Sequence, residues 1–307
     1  MKISKNTLFV DYFKNWVQVY KKGSVREVTL LKYQNSIKHL ENIAPKLKLC
    51  DLTKFTYQNI LNVYAETHAR QTTMDFHTHL KAAILDAVDD GLLKTNPCRR
   101  VAFKNTETTY KKKEKFLSFE EYKALLNDLV LGPEVSFDWL IYFIAKTGVR
   151  FSEALAVTPN DFDFKKGIVH IDKTWDYKLN TGFSKTKTLC SIRDVVLDPE
   201  TKKNMKRLCN KLPKTLPIFI TKDKIYNSTA NDILERHCKK LGITPISIHG
   251  LRHTHASILL YLGVTVASVS KRLGHSDITI TQKVYLHIIK ELENRYNDLI
   301  RKTLSNL

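Results

Sequence analysis

The sequence predicts a mainly α-helical protein, with an N-terminal helical bundle followed by a mixed α/β domain that contains a small antiparallel sheet. Three observations support this fold class. Apolar residues recur at helical spacing through about residues 7–103. Two short runs, residues 167–171 and 192–197, are rich in β-branched residues and are typical of strands. From Pro199 onward the helical spacing returns.

The first half of the chain contains four apolar patterns with helical spacing. We expect helices over residues 8–20, 30–43, 57–64 and 72–88. The fourth pattern ends at Asp90-Gly91, where glycine can adopt the left-handed conformation that terminates helices. Because little of this region alternates with period two, we predict an all-helical domain over residues 1–103.

A cationic linker is expected over residues 104–116, which have no apolar periodicity. Four of its lysines are candidate DNA contacts: Lys111, Lys112, Lys113 and Lys115. For any one of them, a solvated loop is the alternative. Ser118, followed three residues later by Glu121, forms a capping-box pattern, so the second domain is placed at residues 117–307.

The second domain is expected to begin with two helices, over residues 119–130 and 136–147, before the two strand-like runs. A polar, lysine-rich stretch at residues 178–188 is interpreted as the exposed end of a hairpin. Further helices are predicted over residues 232–241, 251–262, 266–273 and 279–289, and a C-terminal amphipathic helix over 291–307.

The charge of the chain predicts a polyanionic partner. The formal net charge is +19, with +7 in residues 1–103 and +12 in the rest, while 43% hydrophobic residues provide for a core. Two basic globular halves favour a clamp around nucleic acid over a single basic tail. A generally basic protein with no such partner is the alternative.

The cysteines and apolar runs predict a cytoplasmic protein that does not enter a membrane. The five cysteines are scattered without a C-x-x-C pair, which favours reduced thiols over a disulfide framework or a zinc site. The most apolar run, residues 139–145, is too short to span a bilayer, and the N-terminus has no signal-like apolar core.

Four motifs supply groups suited to metal-free attack on a phosphodiester. They are Thr147-Gly148-Val149-Arg150, His249-Gly250-Leu251-Arg252, Leu273-Gly274-His275 and Tyr285. Arginines neutralise phosphate oxygens in bidentate geometry, histidines move protons, and a phenol can form a covalent bond. No compact Asp/Glu cluster resembling a metal-nuclease site is visible in the sequence.

Each motif also has an alternative interpretation. Arg150 could simply pair with Glu153, three residues on, and Tyr285 could be an amphipathic core residue. His249 could be a capping or core histidine. Together with His253 and His255 it could form a metal site, but no carboxylate or cysteine joins these three at ligand spacing, and Arg252 would repel a cation. We therefore expect no metal.

The order of these motifs resembles the catalytic domain of tyrosine recombinases, the phage integrase family. The sequence of residues 249–257, His-Gly-Leu-Arg-His-Thr-His-Ala-Ser, most resembles the corresponding motif of integrases from phages and conjugative transposons of Gram-positive bacteria. The resemblance rests on motifs over residues 147–287. Over residues 1–103 it rests on architecture, which implies a SAM-like core-binding domain.

The resemblance implies a role for each candidate residue. Arg150, Arg252 and His275 would hold the phosphate, His249 would take the phenol proton, and Tyr285 would be the nucleophile. Glu153 would support the arginines. The family also uses a lysine on a β-hairpin to protonate the leaving oxygen. We favour Lys185 for it, with Lys187 as the competitor and as a candidate DNA contact.

The implied activity is site-specific DNA recombination through a 3′-phosphotyrosyl intermediate, without cofactor, metal or ATP. The implied partners are double-stranded DNA at core sites, a homotetramer on two duplexes, and an excisionase or a host DNA-bending protein. The segment 291–307 would dock on a neighbouring protomer, the alternative being its own core. Two other functions are considered: a type IB topoisomerase, and a non-catalytic helix-turn-helix regulator formed by residues 266–273 and 278–289.

Overall fold

The computed structural model of this protein describes residues 3–104, 116–186, 189–221, 224–279 and 281–282. The chain divides between residues 111 and 112 into two compact units. Within the described ranges, no helix combines the length and the apolar character needed to cross a membrane.

The first unit is a helical bundle, as the sequence predicts. Its helices are α1 (Phe9–Tyr20), α2 (Glu27–Ile43), α3 (Lys54–Ala65) and α4 (Arg70–Asp89). The chain turns after α4 at Gly91, whose φ is +69°. The largest fully buried side chains of this unit come from all four helices and one connection: Phe9, Phe13, Leu40, Leu49, Tyr57, Leu61, Leu80 and Ile84.

The second unit begins with three helices, α5 (Phe119–Asp128), α6 (Phe137–Thr147) and α7 (Phe151–Ala156). The capping box predicted before α5 is present, because the Ser118 hydroxyl accepts from the Glu121 amide while the Glu121 carboxylate accepts from the Ser118 amide. Helix α6 is buried along nearly its whole length and forms the centre of the core.

Among the described residues, five short strands form two antiparallel sheets. They are β1 (Phe162–Asp163), β2 (Ile168–Ile171), β3 (Lys173–Asp176), β4 (Gly182–Lys185) and β5 (Arg193–Val196). The order β1-β2-β5 makes one sheet, and β3 pairs with β4 in the other and packs on α7. Residues 178–188, predicted to be the exposed end of a hairpin, contain strand β4, and the hairpin is the one that β4 forms with β3.

Four helices complete the described part of this unit: α8 (Pro199–Cys209), α9 (Asn227–Lys240), α10 (Ile248–Tyr261) and α11 (Val266–Leu273). Helix α10 packs against α6 and α11. The bounds of α11 are those the sequence predicts, because Thr265 caps its first turn and Gly274 adopts the left-handed conformation at its end. The predicted helix at 279–289 falls mostly outside the described residues.

Candidate active site

The end of α6 determines where Arg150 lies. Gly148 terminates this helix in the left-handed conformation, with φ +68°, and its amide donates to the Ile144 carbonyl. A Cβ at this position would lie 2.6 Å from Cδ2 of His255, so the site requires glycine for space as well as for backbone conformation. The chain then reverses, and Arg150 precedes the first turn of α7.

Arg150 does pair with Glu153, but the pair leaves part of its guanidinium accessible. Nη1 donates to Glu153 Oε1 over 2.6 Å, and Nη2 donates to the Gly274 carbonyl over 3.1 Å. A guanidinium has five N–H groups, and the Arg150 side chain is 35% exposed. The ion pair therefore orients the arginine and leaves donors that can meet an anion.

Arg252 connects three parts of the sequence that are far apart. It lies on the first turns of α10, which begins with the Ser247 hydroxyl accepting from the Gly250 amide. Its Nη1 donates to the Gly148 carbonyl over 2.8 Å and its Nη2 to the Leu273 carbonyl over 2.6 Å, and the residue is 3% exposed. Arg252, from the His249–Arg252 motif, thus binds both the Thr147–Arg150 motif and the Leu273–His275 motif.

His275 follows the glycine that ends α11 and is half-buried. Its Nδ1 lies 2.7 Å from the hydroxyl of the buried Thr281, with which it forms a hydrogen bond. Burial, together with the positive charges of Arg252 and Arg150, lowers the pKa of His275 to about 4. The imidazole is therefore neutral at pH 7 and suited to hydrogen-bonding a phosphate oxygen.

His249 lies one turn before Arg252 on α10, and it is exposed. Its ring is perpendicular to that of His253, with centroids 4.7 Å apart. Incomplete hydration of the ring and the charges of Arg252 and Arg150 lower its pKa below the usual value. A neutral imidazole with access to solvent has the properties required of a general base.

Glu153 is the buried anion of this site, with 1% of its side chain exposed. Burial alone would raise the pKa of its carboxyl, but the charges of Arg193, Arg150 and Arg252 outweigh burial and lower it. One carboxylate against three guanidinium groups leaves a local excess of positive charge. That excess suits the binding of a phosphate.

Arg193 joins Arg150 and Arg252 around Glu153 in an arginine cluster, although the sequence predicts it only as part of a strand. Its Nη2 donates to Glu153 Oε2 over 2.9 Å, and 4% of its side chain is exposed. A signal was available in the sequence. In β5, Arg193 and Val195 occupy inward positions of an alternating strand, and an arginine that faces a core requires a buried acidic partner.

Lys185, the predicted proton donor, is exposed at the end of β4, opposite Lys173 of β3. Across the described ranges, no hydrogen bond or ion pair joins its side chain to the arginine cluster. The other predicted residues lie outside the described residues: the competitor Lys187, the linker cations Lys111, Lys112, Lys113 and Lys115, and the nucleophile Tyr285.

His255 has a structural environment that differs from those of His249 and His253. Its Nε2 accepts from Arg272 Nε over 2.9 Å, so its Nδ1 carries the proton and donates to the Ala145 carbonyl over 2.9 Å. Both ring nitrogens are occupied. The three histidines therefore cannot act together as ligands of one metal ion.

The pH dependence of stability provides a test of this buried histidine. Burial and the charge of Arg272 lower the pKa of His255 to about 3. Between pH 6.5 and pH 3 the unfolded chain binds a proton that the folded chain does not, so acidification lowers the free energy of unfolding by up to ~1.4 kcal/mol per pH unit for one such group. His255→Gln, which keeps a donor and an acceptor but does not titrate, is expected to reduce this slope.

Urea denaturation between pH 7 and pH 4 measures that slope. His170→Gln, at an exposed position of β2, is the matched control. An unchanged slope in the His255 variant, relative to wild type, would contradict the assignment of His255 as a buried neutral histidine.

Comparison with known protein families identifies the family of this chain. The sequence pattern described as "Phage integrase family" matches residues 115–291, and that of the "Phage integrase SAM-like domain" matches residues 8–105. The chain belongs to the phage integrase family. This integrase is a tyrosine recombinase with the fold class that the sequence predicts, and the comparisons favour neither a type IB topoisomerase nor a helix-turn-helix regulator.

Relatives of the integrase include proteins of mobile elements. It is 30% identical to the ICEBs1 integrase of Bacillus subtilis (strain 168) over 298 residues, which cover 87% of this chain and 78% of the relative. It is 24% identical to the integrase of Staphylococcus phage L54a, with 97% of this chain and 94% of the relative covered. The predicted resemblance to integrases of phages and mobile elements is confirmed.

Solved structures share the fold of this integrase. The Tn1549 transposon integrase, in a complex with a circular intermediate DNA, matches with a TM-score of 0.78 and 17% identity, covering 94% of this chain and 99% of that one. A lambda integrase tetramer bound to a Holliday junction matches with a TM-score of 0.68 and 16% identity, covering 90% of this chain and 79% of that one.

Proposed function

We propose that this integrase cleaves and rejoins double-stranded DNA at the attachment sites of a mobile element, through a 3′-phosphotyrosyl bond to Tyr285. One observation carries the proposal. Arg150 and Arg252, which are separated by about a hundred residues, both donate to backbone carbonyls at the end of α11, directly before His275. Three separate motifs thus form one cationic site of the kind that phosphoryl transfer requires.

The cleavage step follows from the chemistry of these groups. The Tyr285 oxygen attacks the scissile phosphorus and forms a P–O bond, while the bond from phosphorus to the 5′ oxygen breaks. His249 accepts the phenol proton, and Lys185 donates a proton to the leaving 5′ oxygen. Arg150, Arg252 and the neutral His275 hold the non-bridging oxygens. A 5′-hydroxyl of a partner duplex reverses these steps, so the energy of the bond is retained.

A nicked suicide substrate tests this proposal. Cleavage frees the short fragment between the scissile phosphate and the nick, which carries the new 5′-hydroxyl. This fragment diffuses away, so the covalent protein–DNA intermediate accumulates and is seen as a shifted band in a denaturing gel. The attachment sequence comes from the genomic flanks of the element. Absence of any covalent adduct on that sequence would contradict recombinase activity, and exchange of strands between two duplexes distinguishes recombination from relaxation.

The role of Lys185 is tested with a leaving group that needs no proton. Lys185→Ala is expected to slow the cleavage of an ordinary phosphodiester much more than that of a 5′-bridging phosphorothiolate, since a thiolate departs without general acid catalysis. Lys187→Ala is the matched variant. A differential effect in Lys187→Ala alone would transfer the role to that residue, and equal losses on both substrates would limit Lys185 to phosphate binding.

We also propose how the chain is arranged on its DNA. Residues 1–103 and 117–307 would each contact the duplex, mostly at its phosphates, and the lysines of residues 104–116 would add phosphate contacts. The active assembly would be a tetramer on two duplexes, regulated by an excisionase or a host DNA-bending protein. The fold similarity to a lambda integrase tetramer bound to a Holliday junction supports the proposed tetramer.

Deletion of residues 291–307 tests the assembly. In sequence this segment places Leu292, Tyr296, Leu299 and Leu304 at helical spacing. If it docks on a neighbouring protomer, the shortened protein should stay folded and bind one DNA site while losing synaptic complexes, measured by native gel shift and light scattering. Unfolding of the shortened protein, or normal synapsis, would contradict docking on a neighbour.

A further inference from the structure

The C-terminus of α11 is held by three arginines. Three consecutive carbonyls each accept a hydrogen bond from a different one: Arg272 O from Arg193 Nε at 2.6 Å, Leu273 O from Arg252 Nη2 at 2.6 Å, and Gly274 O from Arg150 Nη2 at 3.1 Å. The last carbonyls of a helix lack intrahelical partners and carry partial negative charge. Cationic donors are therefore especially favourable there.

Arg193 donates to protein acceptors from all three of its side-chain nitrogens. Besides the Arg272 carbonyl, its Nη1 donates to the Ser191 carbonyl over 2.9 Å and its Nη2 to Glu153 over 2.9 Å. All three nitrogens are bound, and 4% of the side chain is exposed. The protein therefore engages every nitrogen of the Arg193 guanidinium.

The contacts of Arg193 lead directly to groups that would meet the phosphate. Its partner Glu153 also binds Arg150, one carboxylate oxygen for each guanidinium. Its packing on the turn is close, since a Cβ at Gly274 would lie 3.0 Å from Arg193 Nη1. A displacement of Arg193 would therefore move both the carboxylate that orients Arg150 and the turn that carries His275.

We propose that Arg193 is a positioning residue for DNA cleavage, which acts by fixing Glu153 and the end of α11 so that Arg150, Arg252 and His275 meet one phosphate. The proposal rests on the proposed function. The alternative is that Arg193 and Glu153 form a buried ion pair that stabilises the fold and has no role in cleavage. Loss of stability in an Arg193 variant would not distinguish the two roles, because breaking a buried ion pair destabilises the fold in both.

Two variants and two substrates distinguish these roles. Arg193→Met removes all three hydrogen bonds and the charge, while Arg193→Lys keeps the charge without the planar fork. Arg207→Met is the matched control, because Arg207 is an exposed arginine of α8 that donates to a single carbonyl, that of Leu131. The substrates are a nicked phosphodiester and the same DNA with a methylphosphonate at the scissile position. The methylphosphonate carries no charge and needs less neutralisation by arginine.

On the phosphodiester, Arg193→Met is expected to slow single-turnover cleavage about 100-fold, the size of effect seen when one charge-stabilising group is lost. DNA affinity should stay near that of wild type, and Arg193→Lys should recover only a small part of the rate. On the methylphosphonate the loss should shrink to about tenfold or less, as it should for Arg150→Ala, because both variants impair charge neutralisation. Equal losses on the two substrates, or no loss, would overturn the proposal.

Hydrogen–deuterium exchange of the free full-length protein provides a readout that does not depend on DNA chemistry. In the wild type, the amides of Gly274 and His275 donate to the carbonyls of Lys271 and Ser270. Exchange in a peptide that covers them should rise in Arg193→Met and stay unchanged in Arg207→Met. Unchanged exchange in Arg193→Met would overturn the inference. Failure of the wild type to form an adduct would instead overturn the proposed function.

Discussion

Replacing Tyr285 by phenylalanine is expected to abolish the covalent protein–DNA adduct completely while leaving DNA affinity almost unchanged. The substitution removes one hydroxyl, which is the nucleophile of the proposed reaction, and little contact area. An unperturbed tyrosine has a pKa of about 10, so the phenol needs a base such as His249 for its activation. Adduct formation on the suicide substrate and fluorescence anisotropy of bound DNA measure the two quantities separately.

Tyr261→Phe is the matched control for this experiment. Tyr261 lies at the end of α10 with 46% of its surface exposed, so it is an accessible phenol on the same unit and should be dispensable. Persistence of adduct in Tyr285→Phe, with its loss in Tyr261→Phe or Tyr296→Phe, would move the nucleophile to one of those residues.

The second large effect is expected from Arg150→Ala and Arg252→Ala, each of which should slow cleavage by at least about 10²–10³-fold, as for the loss of a preorganised charge-stabilising donor. Their effects on stability should differ. Arg252 is 3% exposed and satisfies the Gly148 and Leu273 carbonyls, and an orphaned buried acceptor costs about 1–3 kcal/mol. Arg150 is 35% exposed, and Glu153 keeps its bond to Arg193 when Arg150 is removed, so Arg150→Ala should cost less stability and affect the rate mainly.

Single-turnover cleavage and urea denaturation, carried out on the same preparations, distinguish the two arginines. Lysine at either position should recover only part of the rate, because an ammonium cannot make two parallel hydrogen bonds to a phosphate. Wild-type cleavage by Arg150→Ala, or equal loss of stability in both alanine variants, would contradict the assignment.

Local signals in the sequence were sufficient to predict the ends of several helices. Helix α11 has the predicted bounds because Thr265 caps its start and Gly274 ends it, and both effects act within one turn. The same holds for the capping box at Ser118 and for the glycine stop at Gly148. Helix α9 begins at Asn227, five residues before the predicted start, because its first turns carry few apolar residues to mark them.

Short elements were not predictable in the same way. Helix α7 has six residues, fewer than two helical turns, so an apolar period does not stand out from the surrounding chain. Strand β4, Gly-Phe-Ser-Lys, lies in a polar stretch and has no β-branched residue to mark it. It pairs with β3, which packs on α7. These elements are stabilised by tertiary contacts more than by local propensity.

The sequence by itself determined the family, the order of the motifs, and five candidate residues of the described active site, because chemistry of this kind requires particular side chains that can be recognised one at a time. It left open whether Arg150 serves Glu153 or a ligand, and it did not identify Arg193. The tertiary structure shows that Arg150 pairs with Glu153 while 35% of its side chain stays exposed, and it places Arg193 on the same carboxylate. Arg150 and Arg193 share Glu153. Together with Arg252 they bind carbonyls at the end of α11, which lie 124 residues from Arg150, 79 from Arg193 and 21 from Arg252 in the sequence. Such convergence depends on how the helices and strands pack, which no local pattern of residues contains.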